Sequence, residues 1–228
     1  MIRGLRNVAT AVLLAASLFS CSSKDTPMTK SKAAAEILGN PEYRDISFGG
    51  YRGKERAKQP TIPQLKEDLK IMSAMGIKIL RTYNLQLAHA PNVLKAIREL
   101  KNEDPTFEMY VMLGVWIDCL NAWTDHPDHS IEDPKNNESE IQKAVRYATE
   151  YPDIVKVIAV GNEAMVHWAS SYFVHPSVIL KYVNYLQELK KVGKLAPDLW
   201  ITSSDNFASW GGGESDYHLP ELEALVKA

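Results

Sequence analysis

The 228-residue chain is 45% hydrophobic, 24% charged and 9% aromatic, with two cysteines and a formal net charge of −2. That balance excludes a disordered tail, which would be poorer in apolar residues, and a basic nucleic-acid binder, which needs positive charge. It also excludes a disulfide-stapled module, and the length permits one large domain or two small ones with a substantial core.

The chain opens with Arg3 and Arg6, followed by an uncharged apolar run over 8–19. A spanning helix needs about twenty such residues, so the shorter run reads as a secretion signal. It ends in Leu18-Phe19-Ser20-Cys21, which resembles a bacterial lipobox, in which the cysteine is lipidated after cleavage on its amino side. Ordinary cleavage nearby, with Cys21 incidental, is the alternative. Residues 1–20 are therefore expected to be a lipoprotein signal peptide and 21–43 a lipid-anchored tether. The expected location is the outer membrane or cell surface, with the membrane engaged through lipid on Cys21. Removing Arg3 and Arg6 takes the formal charge to −4, a mild acidity that favours neither nucleic acid nor an anionic surface. A lipidated Cys21 leaves Cys119 without an intramolecular disulfide partner.

Beyond the tether, apolar or β-branched runs alternate with amphipathic segments. Strands are predicted at 45–49, 77–82, 108–115, 155–160 and 199–203, and helices at 62–75, 91–101, 138–150, 176–192 and 220–227. Thr61 before Ile62-Pro63 supplies a cap and a first-turn proline, and Gly76 stops that helix. Leu65, Leu69, Met72 and Met75 fall on one stripe, as do Ile179, Val183, Leu186 and Leu189, so both stripes read as core.

Strict alternation argues a parallel sheet, because each helix carries the chain back to start the next strand in the same direction. Strand starts near 45, 77 and 107 recur at the roughly 31-residue spacing of a (β/α)₈ barrel. The extra length later falls in the loops 118–137 and 163–175, after strand ends, where barrel enzymes place their chemistry. The fold class is therefore α/β, a TIM barrel of which about the first five units are present over 44–228. A doubly wound open sheet is the alternative, but no GxGxxG or GxxxxGK[ST] occurs, and nucleotide binding has no support.

The fourth strand ends in Gly161-Asn162-Glu163. In isolation an Asn-Glu pair reads as a cap and a helix-start acid. At the carboxyl end of a barrel strand it faces substrate, and a glutamate leaving an apolar wall can be tuned for general-acid work. Glycoside cleavage needs such an acid plus a second carboxylate to attack or to activate water.

Three segments carry a resemblance: Gly76-Ile77-Lys78-Ile79-Leu80-Arg81-Thr82-Tyr83, Val111-Met112-Leu113-Gly114-Val115-Trp116-Ile117, and Val157 through Glu163. Together they make the chain resemble glycoside hydrolase family 17, the β-1,3-glucanases and glucanosyltransferases of clan A barrels. By that resemblance Glu163 is the acid/base and Asn162 the neighbouring amide that hydrogen-bonds the sugar 2-hydroxyl. Arg81 and Tyr83 match positions lining the cleft. The family's nucleophilic glutamate lies at the end of strand seven, whereas this sequence is read as stopping about five strands in. Asp118, Asp205 and Glu214 follow strand ends but sit in no nucleophile motif. The chain is accordingly expected to be truncated at its carboxyl end, with its nucleophile absent and the fragment itself inactive.

Trp116, Trp123, Trp168 and Trp210 fall at or after strand ends, where an indole can cover a pyranose face; packing is the alternative for each. Trp116 and Trp210 are the stronger candidates. Asp205 and Asn206, closing the fifth strand, are binding candidates, although an ordinary Asx turn has the same sequence. Asp125-His126-Pro127-Asp128-His129 raises a metal suspicion, but proline breaks any helical spacing and a solvated loop is favoured. His167 and His175 lack a nucleophile partner, and neither HExxH nor GxSxG occurs. No metal or organic cofactor is expected.

The function expected from these readings is retaining hydrolysis of β-1,3-glucan by the full-length protein, with a polysaccharide as the partner. A β-glucan transglycosylase and a non-catalytic glycan-binding surface lipoprotein are the competing readings. Oligomeric state is not legible.

Overall fold

The computed structural model describes residues 31–213 and 215–228. The expected signal peptide, Cys21, the first part of the tether and Glu214 lie outside the described residues.

Five parallel strands form the main sheet: β1 (Arg44–Ser47), β2 (Ile77–Arg81), β3 (Tyr110–Val115), β6 (Val155–Asn162) and β7 (Trp200–Ser204). They lie side by side in chain order. A doubly wound sheet reverses its strand order at a switch point; no reversal occurs among the described strands, so the doubly wound order is not what they adopt. The arrangement is a mostly parallel α/β sheet compatible with part of an α/β barrel.

Helices α2 (Ile62–Ala74), α3 (His89–Glu103), α4 (Pro134–Glu150) and α5 (Pro176–Lys191) connect these strands, and α6 (Pro220–Lys227) follows β7. Thr61 and Gln64 form a reciprocal capping box at the start of α2, and Gly76 follows its end at φ +81°. Leu65, Leu69 and Met72 are buried as expected, but Met75 is the C-cap and is 60% exposed. The four expected core residues of α5 are all buried. Helix α4 begins four residues before the expected 138. Asp133 accepts from the Asn136 amide and Pro134 opens the first turn, so the polar stretch after it is helical.

Alternate residues divide the sheet into two faces. Leu80, Val111, Leu113, Val115, Ile158 and Val160 join the helices in the main core. On the other face, Ile79 and Tyr110 pack with Ile37 and Tyr43. Ile37 comes from a short helix, α1 (Ala34–Ile37). The tether expected over 21–43 therefore gives way by Ala34 to a packed segment, because Ile37 and Tyr43 have apolar surface to bury against the sheet.

The loop expected over 118–137 contains an antiparallel pair instead, β4 (Cys119–Leu120) with β5 (Asp128–Glu132). Its strands were too short and too polar to read by alternation.

Candidate active site

The carboxyl ends of the parallel strands form one rim, and most of the sequence-predicted residues meet there. Arg81, the last residue of β2, donates from Nη1 to Ser47 Oγ on β1 at 3.2 Å and from Nη2 to Asn162 Oδ1 on β6 at 2.5 Å. Its guanidinium lies 5.5 Å from the centre of the Tyr83 ring. A rigid fork is suited to holding two acceptors at once. Arg81 thus links Asn162 at the end of β6 with Tyr83 just beyond β2.

Asn162 reaches Arg81 because β6 is not regular. Ile158 and Val160 face the helices, so uninterrupted alternation would send Asn162 there too. The register breaks between Ala159 and Asn162, and Gly161 adopts φ +84°. A bulge of this kind re-aims the following side chain. Glu163 then takes φ +50°, a left-handed conformation costly for a glutamate, and its amide donates to Ser204 O on β7 at 2.8 Å. Its side chain is exposed, so the apolar enclosure expected around this acid is not supplied by the described residues. Burial raises the Asp205 carboxyl and the Tyr172 hydroxyl above their usual values, and the nearness of Glu163 adds to both. Glu163 therefore stands at the rim between β6, β7 and the following loop.

Asp205 Oδ2 accepts from the Met165 amide at 2.8 Å, and its Oδ1 from the Asn206 amide. Burial, followed by the charge of Glu163, raises its carboxyl above the usual aspartate range against the pull of its hydrogen bonds. Asn206 Oδ1 accepts from the Ser209 amide, and Ser209 Oγ donates to Met165 O. Both predicted binding residues are thus engaged in backbone hydrogen bonds that hold the loops after β6 and β7. Trp210 is half-buried and packs against the main core, whereas Trp168 is 74% exposed.

Trp116 follows β3 and donates from Nε1 to Asp118 Oδ1 at 2.8 Å. Trp123 and Tyr172 accompany it: the Trp116 and Trp123 rings are 6.3 Å apart and nearly parallel, and Trp123 stacks on Tyr172 at 4.6 Å. Trp123 has φ +67°, is 58% exposed and donates its amide to Ser171 O, which joins the β4–β5 insertion to the loop after β6. The aromatic surface was only half legible, because neither the insertion nor its left-handed backbone is written in a local pattern. His129, in the suspected metal loop, instead turns its ring toward Phe173 O at 2.7 Å and Cys119 Sγ at 3.7 Å.

The chain is similar to a crystal structure of an endo-laminarinase from Formosa Hel1_33_131. The two are 65% identical and superpose with a TM-score of 0.83, over 86% of this chain and 50% of the laminarinase. The chain spans half the length of that enzyme. No protein-family model and no curated protein matches it.

The arrangement offers two kinds of contact surface. Arg81, Asn162 and Glu163 present polar groups at the carboxyl ends of β2 and β6, on either side of β3, while Trp116, Trp123 and Tyr172 present clustered rings. Few placed polar groups beside aromatic surface is the usual make-up of such a site.

Proposed function

We propose that the protein to which this chain belongs is a glycoside hydrolase of family 17 type that cleaves β-1,3-glucan with retention. The carrying observation is Gly161-Asn162-Glu163 at the carboxyl end of β6, with Asn162 held by Arg81, in a chain 65% identical to an endo-laminarinase. Glu163 protonates the departing glycosidic oxygen and then, as a carboxylate, takes a proton from the attacking water. Its position at an exposed rim gives it access to a polymer that threads the cleft rather than enters a closed pocket. Asn162, its amide oxygen committed to Arg81, keeps its Nδ2 hydrogens for a sugar hydroxyl. The aromatic stack holds a further pyranose ring.

A retaining enzyme needs a second carboxylate about 5–5.5 Å from the first. Asp205 is occupied by backbone amides and Asp118 by the Trp116 indole, and by the family resemblance the nucleophile is assigned to sequence outside this chain. The chain spans only half of the laminarinase, which leaves room for that residue, and the 228 residues alone are expected to be inactive. Export through the leader and anchoring by lipid on Cys21 would set the enzyme where polymeric glucan is met.

The test is laminarin hydrolysis by the full-length protein, followed by NMR as the first products form. Reducing ends released initially as the β-anomer support retention. Initial α-anomer contradicts it, and absence of release from laminarin contradicts the substrate assignment.

A further inference from the structure

Helix α4 carries Asn137, Glu140 and Lys143 at three-residue intervals, so they share a face. That face turns to the rim and grips two loops by their backbones. Glu140 Oε2 accepts from the Leu85 amide at 2.8 Å and the Trp116 amide at 3.0 Å, while Lys143 Nζ donates to Leu85 O at 3.2 Å. Asn137 treats Asp118 in the same two-handed way: its Oδ1 accepts from the Asp118 amide at 2.8 Å and its Nδ2 donates to Asp118 O at 2.9 Å. The segment carrying the Trp116 indole is therefore fixed on both sides, and the indole itself is pinned to Asp118 Oδ1. The segments so held border a groove of about 560 Å³ lined by Asn84, Gln86, Trp116, Asp118, Trp123 and Lys143, among others.

The Glu140 side chain is only 1% exposed, and its second oxygen, Oε1, has no hydrogen-bond partner, with Lys143 Nζ 3.8 Å away. Burying a carboxylate is costly, and a core position on a helix would be filled more cheaply by an apolar residue. The carboxylate has something to do there that a leucine cannot: it offers one acceptor atom to two backbone amides from different strand-end loops.

We infer, on the glucan reading above, that Glu140 is a positioning residue that sets the Trp116 indole for stacking on a sugar ring of the substrate. It acts through Trp116 and makes no contact with Arg81, Asn162 or Glu163 among its hydrogen bonds. Its removal should weaken substrate binding and leave the chemical step alone.

The test compares Glu140→Asp, which keeps the charge but shortens the reach, with Glu140→Gln, which keeps an oxygen at the same reach. In the full-length protein on laminarin, E140D should raise KM about tenfold, the equivalent of one or two lost hydrogen bonds, with kcat within about twofold. E140Q should stay near wild type. In a Trp116→Ala background, E140D should add nothing further. Without sugar, the near-UV circular dichroism of the tryptophans should change in E140D and recover in E140Q. If E140D does not fold, Lys143→Met, which removes the bond to Leu85 O and the ion-pair partner of Glu140, should change the same spectrum. Unchanged KM, a fall confined to kcat, or an additive effect with W116A would overturn the inference. An unchanged spectrum in the folded variant would do so too, even if wild type fails to act on laminarin, a failure that would instead refute the glucan reading.

Discussion

Arg81 is the residue on which the rim converges, since its two terminal nitrogens hold side chains from β1 and β6. A lysine offers one point charge in place of a fork and cannot hold both acceptors in the same geometry. Arg81→Lys should therefore lower kcat/KM on laminarin by about 10- to 100-fold through the freed Asn162, with little change in melting temperature. A melting-temperature loss without a rate loss would make the pair structural only. Asp205 behaves differently. Burial keeps its carboxyl above the ordinary value of 3.8 in the folded protein, so the folded state holds this proton more tightly than the unfolded chain. Its contribution to stability is full below the unfolded pKa and is lost as pH rises through the folded one. Urea midpoints of wild type should fall relative to Asp205→Asn as pH rises from about 3.8; a pH-independent difference would contradict this.

At the scale of elements, strand ends are where tolerance is least. A Cβ at Gly114 of β3 would lie 2.1 Å from Thr82 O and 2.8 Å from Tyr83 Cα. Those are backbone atoms that cannot step aside. Gly114→Ala should destabilise the protein by several kcal/mol, on the order of 3, or prevent folding, as judged by chemical denaturation. At the opposite face of the sheet, Ile37 is fully buried against Ile79 and Tyr110. Ile37→Ala should cost roughly 2–4 kcal/mol, whereas a loose tether would give no change.

The five parallel strands and their helices were legible because periodicity, caps and stops agree locally: Thr61, Pro63 and Gly76 bracket α2 where expected. The plug of Ile37 and Tyr43 was not, since four residues of helix leave no periodic trace and its partners are remote in sequence. The same limit applied to the site. Gly161-Asn162-Glu163 announced itself as a polar ending on an apolar strand. Glu140 and Asn137 did not, although two polar residues on the buried stripe of α4, beside Ile141 and Ala144, were the available clue.

For the whole molecule, β1 and β7 are the outer strands of the sheet, each with one neighbour in it among the described residues. Open strand edges are the feature of a sheet that pairs further or is covered, and the chain matches half of a laminarinase in length. The residues meet at one rim because a parallel sheet in chain order delivers every strand end to the same side. Ser47, Arg81, Trp116 and Asn162, spread over 116 positions of sequence, thereby come to one rim.

The most direct measurement is kcat/KM on unactivated laminarin for the full-length protein and its Glu163→Gln variant. Glutamine keeps the shape and loses the transferable proton, so the rate should fall by about a thousandfold while the melting temperature holds. A variant that turns over laminarin at near wild-type rate would contradict the assignment of Glu163 as the proton donor.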